Sequence, residues 1–389
     1  MPVSMIMGKP SQFFDSSSTP VNAPEFQVAS YRTVGGVTSV SMSRDGKYAA
    51  ISGHGFVTLL NGNASALWTF QRNEIFNSVS ISGDGTYVVA GTEGSRVYLF
   101  DANDGRVLWI FRTDGPVLTI KISRDGRYVA AGIFEGVVYL LQRDGGGLLW
   151  SYKAGNITAI FSVAISDDGS HIVAGSANNK VILLSSSNPT PMWTYETEDF
   201  VRSVAITSKG DYLAAGTNDN HLHLFSSSQS NPLWSYKTNN SVRSVALSST
   251  RVACGSYDGK IYCFDRADNT PRWTYDTGDM VLSVSFSEDD KFVVAGGANM
   301  TACLLDADDG TLEFSYKSKF LINSSSISQD GFAMVIGGDA STIIIRRPAR
   351  EEPSSINWIN QTLFGLVPTV VLATIAIVVL ARRKLKGQK

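Results

Sequence analysis

The sequence predicts an all-β chain: an eight-bladed β-propeller of four-stranded antiparallel blades, closed by an N-terminal strand and followed by one C-terminal transmembrane helix. Three observations predict it. An aromatic residue recurs at Trp68, Trp109, Trp150, Trp193, Trp234, Trp273 and Phe314, at spacings of 41, 41, 43, 41, 39 and 41, and a fixed period near ~40 residues marks propellers and solenoids. A short β-rich run, "SVAIT" and its variants, occurs eight times and ends as "SSSIS" at 324–328. Residues 363–381, "LFGLVPTVVLATIAIVVLA", are uncharged and mostly apolar.

One period, "VRSVAITSKGDYLAAGTNDNHLHLFSSSQSNPLWSYKT" (201–238), holds four β-rich runs separated by Gly, Asn, Asp, Ser and Pro clusters, so each unit carries four strands. Turns such as "SRDG" and "SDDG" follow the first strand, where glycine supplies the positive φ of a tight hairpin. The second strand reads "YVVAGT" or "YLAAGT", the third "VYLFD" or "IYCFD", and the fourth "LWSYKT". Such units cannot bury both faces alone, and radial repetition covers each face with a neighbour. After Ile345 no aromatic fourth strand follows, but "VASYRT" at 28–33 matches its pattern. It is predicted to complete the last blade and remove the open edge.

The predicted organisation is therefore a polar disordered leader (1–25), the propeller (26–346), a linker (347–357), a transmembrane helix with an interfacial start at Trp358 (358–381) and a basic tail (382–389). At 389 residues, a net charge of −2 and 17% charged residues, no broad basic field exists to attract nucleic acid.

The stretch "VYLFDANDGRVLWIFRTDG" (97–115) resembles the tryptophan-docking repeat of quinoprotein-type, PQQ-like propellers, and "VRSVAITSKGDYLAAGTNDNHLHLF" resembles WD-repeat proteins. The resemblance implies that the fourth-strand aromatics, Trp68 through Phe314, dock one blade on the next. The Trp-Asp dipeptide of the WD family is absent, as is the Cys-Cys clamp of quinone-dependent dehydrogenases. No cofactor, metal or catalytic residue is expected.

Other chemistry-bearing residues have bland explanations beside the functional ones. Cys254 and Cys263 flank a hairpin expected to turn at Asp258-Gly259, which sets them opposite each other as either a cross-strand pair or two buried thiols; Cys303 reads as core. His221 and His223 share a strand face without a visible third ligand. "DANDG" (101–105) and "DADDG" (306–310) look calcium-like but lack the terminal Glu of a calcium loop.

The residue before each first strand lies near one mouth of the central channel and reads Thr38, Asn77, Leu118, Phe161, Arg202, Arg243, Leu282 and Asn323. Two adjacent arginines stand out. With Phe161, Asp199, Phe200 and Met280 they form the candidate partner-binding patch, mixing apolar and charged groups as interaction hot spots do; the competing reading is an ordinary solvated rim.

As a helix, 363–381 would span about 28 Å, enough for a bilayer. The following Arg382, Arg383, Lys384, Lys386 and Lys389 put the C-terminus in the cytoplasm and the propeller outside. Residues 1–25 hold no apolar run of a signal peptide, so that cue conflicts. Six Asn-x-Ser/Thr sequons fit an external surface. The leading functional expectation is a non-enzymatic, single-pass, membrane-anchored scaffold or assembly factor, extracytoplasmic, binding a protein or cell-surface polymer, with 363–381 in the lipid bilayer. This is similar in kind to quinoprotein-like propellers that support membrane-protein assembly. The alternatives are a cytoplasmic, tail-anchored propeller recruiting a small GTPase, and a quinone- or metal-dependent enzyme.

Overall fold

The computed structural model describes residues 26–155, 158–339 and 341–347. Within them lie thirty strands and a single 3-10 turn at Asp144–Gly146. The strands assemble into seven hydrogen-bonded sheets, six of four strands and one of six. With each hydrogen-bonded sheet counted as a blade, the propeller is seven-bladed, which corrects the expectation of eight separate four-stranded blades. All eight first-strand segments form, but the first two sequence repeats share the six-stranded sheet.

The fusion lies where a fourth strand does not end, and loss of the usual threonine accompanies it without being sufficient, since Ala154 and Ser318 also replace that threonine in repeats whose sheets stay separate. Most repeats end their fourth strand at a threonine whose hydroxyl donates to a carbonyl two residues on, as Thr113 does to Gly115 (2.7 Å) and Thr277 to Asp279 (2.7 Å). Arg72 occupies this position in the fused sheet. There the strand runs unbroken from Ala66 to Ile81, and Ile75 pairs with His54 on a strand that extends from Tyr48 to Asn61.

The closing strand predicted at the N-terminus is present. Gln27–Arg32 pairs antiparallel with Ser341–Arg346, placing Ala29 opposite Ile344. Phe26 stacks on Phe314 with ring centroids 4.3 Å apart, so the start of the domain covers the repeat in which phenylalanine stands for the tryptophan.

Two sets of bonds fasten neighbouring repeats. On the outside, each tryptophan indole donates to a carbonyl of the following repeat: Trp68 to Ala102 (2.8 Å), Trp150 to Ser186 (3.0 Å), Trp234 to Arg266 (2.8 Å) and Trp273 to Ala307 (3.0 Å) among them. Gly105, at φ +73°, shows why "DANDG" ends in glycine, because a Cβ there would sit 2.7 Å from the Trp68 ring. Asp101 and Asp104 spend their carboxylates on the backbone amides of Asn103 and Arg106, which is turn chemistry rather than ligation.

Near the channel, the serine of "SV" is the second fastener. Val204 N donates to Ser162 Oγ (3.1 Å), Val245 N to Ser203 (3.1 Å), Val284 N to Ser244 (3.1 Å) and Val40 N to Ser324 (3.1 Å). Between the fasteners the core is apolar and shared by adjacent repeats; Ala130, Leu140 and Trp150 pack with Ile160, Val163 and Ile172 of the next. The glycine of "AAG" permits this contact, since a Cβ on Gly132 would lie 2.4 Å from Ile160.

The cysteine register differs from expectation. Cys254 pairs with Tyr262 and Cys263 with Ala253, so the two thiols point to opposite faces and enter different cores. A turn one residue longer shifts the register by one and inverts the faces. Both are buried free thiols, as is Cys303.

The expectation of a single-pass membrane protein is withdrawn. Among the described residues no helix is long and apolar enough to cross a membrane, and the proposed span 358–381 and its basic flank lie outside the described residues. Sidedness and bilayer contact fall with it.

Candidate functional site

At the mouth where the first strands begin, the sequence-predicted patch is in part a single cluster. Arg202 lies over two rings, with its guanidinium carbon 5.2 Å from the Phe161 centroid and 5.5 Å from that of Phe200. The two rings are tilted at 59° with centroids 6.1 Å apart. A cation above aromatic faces is held by their quadrupoles, and here a hydrogen-bond frame fixes it further.

Asn218 is the centre of that frame. Its Oδ1 accepts from Arg202 Nε (3.4 Å) and Nη2 (3.3 Å) and from Ser241 Oγ (3.2 Å), while its Nδ2 donates to Asp199 Oδ2 (2.8 Å). Asp199 in turn accepts from the Phe200 backbone N–H (2.7 Å). The Asn218 bond, then the Phe200 amide, hold the Asp199 carboxyl below its ordinary range. Phe200 remains exposed.

Arg243 and Met280 are not joined to this frame. Arg243 is half-buried, with no hydrogen bond or ion pair to it among the described residues. Met280 is exposed in the loop before Val281, and its carbonyl accepts from the Ala298 amide (2.9 Å). Sequence reasoning missed Asn218. Its only signal was a place in "TNDN", indistinguishable from any turn asparagine.

The opposite mouth is lined by paired charges. Arg124 pairs with Asp167 (3.0 Å) and with Glu288, which also pairs with Arg44 (3.4 Å). Inside this lattice lies a cavity of about 170 Å³, lined by Met42, Ile81, Ile122, Ile165 and Ile327 with the charged groups.

A larger open depression of about 480 Å³ sits at the fused sheet, beside His54, Glu74 and Glu93. Glu74 is committed to Arg72 (3.0 Å), Arg96 (3.0 Å) and the Tyr98 hydroxyl (2.6 Å), which occupies most of its acceptor capacity.

His221 and His223 share a face and stack at 5.6 Å. His223 is buried, its Nδ1 is 2.7 Å from Ser235 Oγ, and burial lowers its pKa to about 4. His221 faces Asp219 at 3.4 Å. Among the described residues no group of three metal-ligating side chains assembles.

The family described as outer membrane protein assembly factor BamB matches residues 29–132, 134–253 and 238–349. A comparison with curated proteins finds no match. Among solved structures, BamB from Moraxella catarrhalis is 16% identical, over 84% of this chain and 99% of that one, with a TM-score of 0.68. A computationally designed protein, Ika8, is 13% identical over 82% and 98%, at a TM-score of 0.72. Chaetomium thermophilum Sqt1 bound to the N-terminus of ribosomal protein L10 is 16% identical over 80% and 97%, also at 0.72. At these identities the structural likeness speaks for the fold.

Proposed function

This chain belongs to the family of the outer membrane protein assembly factor BamB, and from that premise we propose that it is a non-catalytic interaction scaffold or assembly factor whose channel mouth binds a protein partner. The observation that carries the reading is the Arg202 clamp. A guanidinium seated between Phe161 and Phe200 and tied down by Asn218 presents an exposed ring and a pre-positioned cation at little ordering cost. Buried aromatic and arginine anchors dominate protein interfaces. Arg243, without an internal partner, and exposed Met280 extend the surface along the same mouth. Sqt1, a propeller of this fold solved with a segment of another protein, supports the reading by analogy.

The test places a photo-crosslinking residue at Phe200 in the full chain in cells, with a control at outer-strand Glu313. A discrete protein adduct at Phe200 that disappears in Arg202→Ala, while the melting temperature holds, is the expected result. Adducts at Glu313 alone would overturn it.

A further inference from the structure

One residue inside the channel has no structural explanation. Lys121 lies on the inner strand Val117–Ile122, paired with Ala130, at a position that is serine or alanine in every other repeat, Ser41, Ser80 and Ala164 among them. Serines at this level have work to do, since Ser41 and Ser80 accept from the Ile81 and Ile122 amides of the next strand (3.3 and 3.4 Å). A lysine cannot accept, so the fastener is given up here.

What replaces it is an amine with no partner. No hydrogen bond or ion pair reaches Lys121 and no carboxylate acts on it among the described residues. Its side chain is open to water yet ringed by the inner strands. That enclosure pushes its pKa below the ordinary lysine range. An ammonium on the channel wall with no protein counter-charge has all its donors available to an incoming anion.

The surroundings restrict what binds and from where. Beyond Ile122 the far mouth is lined by Arg124, Arg44, Asp167 and Glu288, which pair with one another. Those arginines are already paired. The open mouth carries Arg202 and Arg243 and no carboxylate at the equivalent position of any repeat. Asp199 stands beside Arg202 at that mouth, so the unpartnered Arg243 is the cation an entering anion meets before Lys121.

We propose that the channel is an oxyanion-binding site, in which the Lys121 ammonium, flanked by the hydroxyl of Ser80 and reached past Arg243, holds a phosphate or carboxylate group. The ligand class is a small oxyanion or the carboxylate of an inserted chain. The site does not depend on the protein-partner reading of the outer mouth.

The experiment uses the full chain and inorganic phosphate. Melting temperature is followed against phosphate near neutral pH, with sodium chloride at matched ionic strength as reference. Mass spectrometry then reads acylation of Lys121 by a limiting amine reagent, with exposed Lys47 as internal control. Wild type shows a saturable rise in melting temperature and several-fold protection of Lys121, with Lys47 unchanged. Lys121→Ser, which restores the residue of the preceding repeat, Ser80, folds and loses the saturable response. Arg243→Leu, the residue of the next repeat, keeps the response at weaker affinity. A second arm replaces phosphate with a tetra-aspartate peptide. Whichever probe saturates at lower concentration, in a Lys121-dependent way, distinguishes free oxyanion from inserted carboxylate. No saturable response to either probe in wild type, or an undiminished one in Lys121→Ser, overturns the site.

Discussion

Protonation of His223 is expected to account for a measurable share of acid destabilisation. The imidazole is buried, pairs through Nδ1 with Ser235 and has no partner at Nε2. Burial, the largest influence, takes its pKa from 6.5 to about 4. Because the folded value lies below the unfolded one, the fold prefers the neutral ring. This stability is complete above the unfolded value, starts to fall as pH drops through 6.5 and is spent near 4. Linkage over that interval gives about 3 kcal/mol at about pH 4. The comparison variant is His223→Ile, because Ile182 holds the same register one repeat earlier. Urea unfolding is followed by tryptophan fluorescence near pH 7 and near pH 4. Carboxylates such as Asp84, whose bonds from Ser82 and Thr86 outweigh the opposing effect of burial, lose stability in acid equally in both proteins. The difference between them therefore isolates the histidine. Wild type should lose roughly 3 kcal/mol more than His223→Ile between the two pH values. Equal losses, within about 1 kcal/mol, would refute the burial argument.

Two further perturbations test the fasteners. Trp273→Phe removes the indole bond to Ala307 while keeping an aromatic body, and should cost about 1 kcal/mol. Trp273→Ala should cost about 3–5 kcal/mol. Urea midpoints check both, and equal values for the two variants would deny the packing role. Deleting residues 1–34 removes the strand paired with Ser341–Arg346 and should lower the melting temperature by several degrees, whereas deleting 1–24 should not. Identical melting curves would show that ring closure contributes nothing.

The repeat was legible because its signals each serve a single purpose. Trp68 and its equivalents recur since each must reach a carbonyl of the following repeat, and the serine of "SV" recurs since all but Ser39 accept an amide of the next strand. The sheet count was not legible. It turns on the unbroken strand Ala66–Ile81 and its long partner Tyr48–Asn61; Arg72 replaces the strand-ending threonine there, but Ala154 and Ser318 replace it elsewhere without joining two sheets. The Cys254 and Cys263 faces were lost for a similar reason, since one residue of turn length inverts them. In the patch, Arg202 was visible as a break in a repeated position. Its tie to Phe161 and Phe200 was visible only as proximity around the ring, and Asn218 looked like any turn residue.

Departures from the repeat are not spread evenly, and their distribution bears on function. Four consecutive repeats carry Lys121, Phe161, Arg202 and Arg243. In those same repeats the second hydroxyl level is missing, with Lys121, Ala164, Ala205 and Ala246 where Ser41, Ser80 and Ser326 accept amides elsewhere. Loss of those bonds weakens the inner seam along one arc, by about 1 kcal/mol for each bond. The outer indole bonds remain intact through that arc, from Trp109 to Arg143 (2.6 Å), Trp193 to Ser227 (2.9 Å) and Trp234 to Arg266 (2.8 Å). The arc therefore keeps its outer attachment while its channel wall exchanges fasteners for cations and rings. A purely structural ring has no use for that exchange, which is why the open mouth and the lumen behind it are the places to look for ligands.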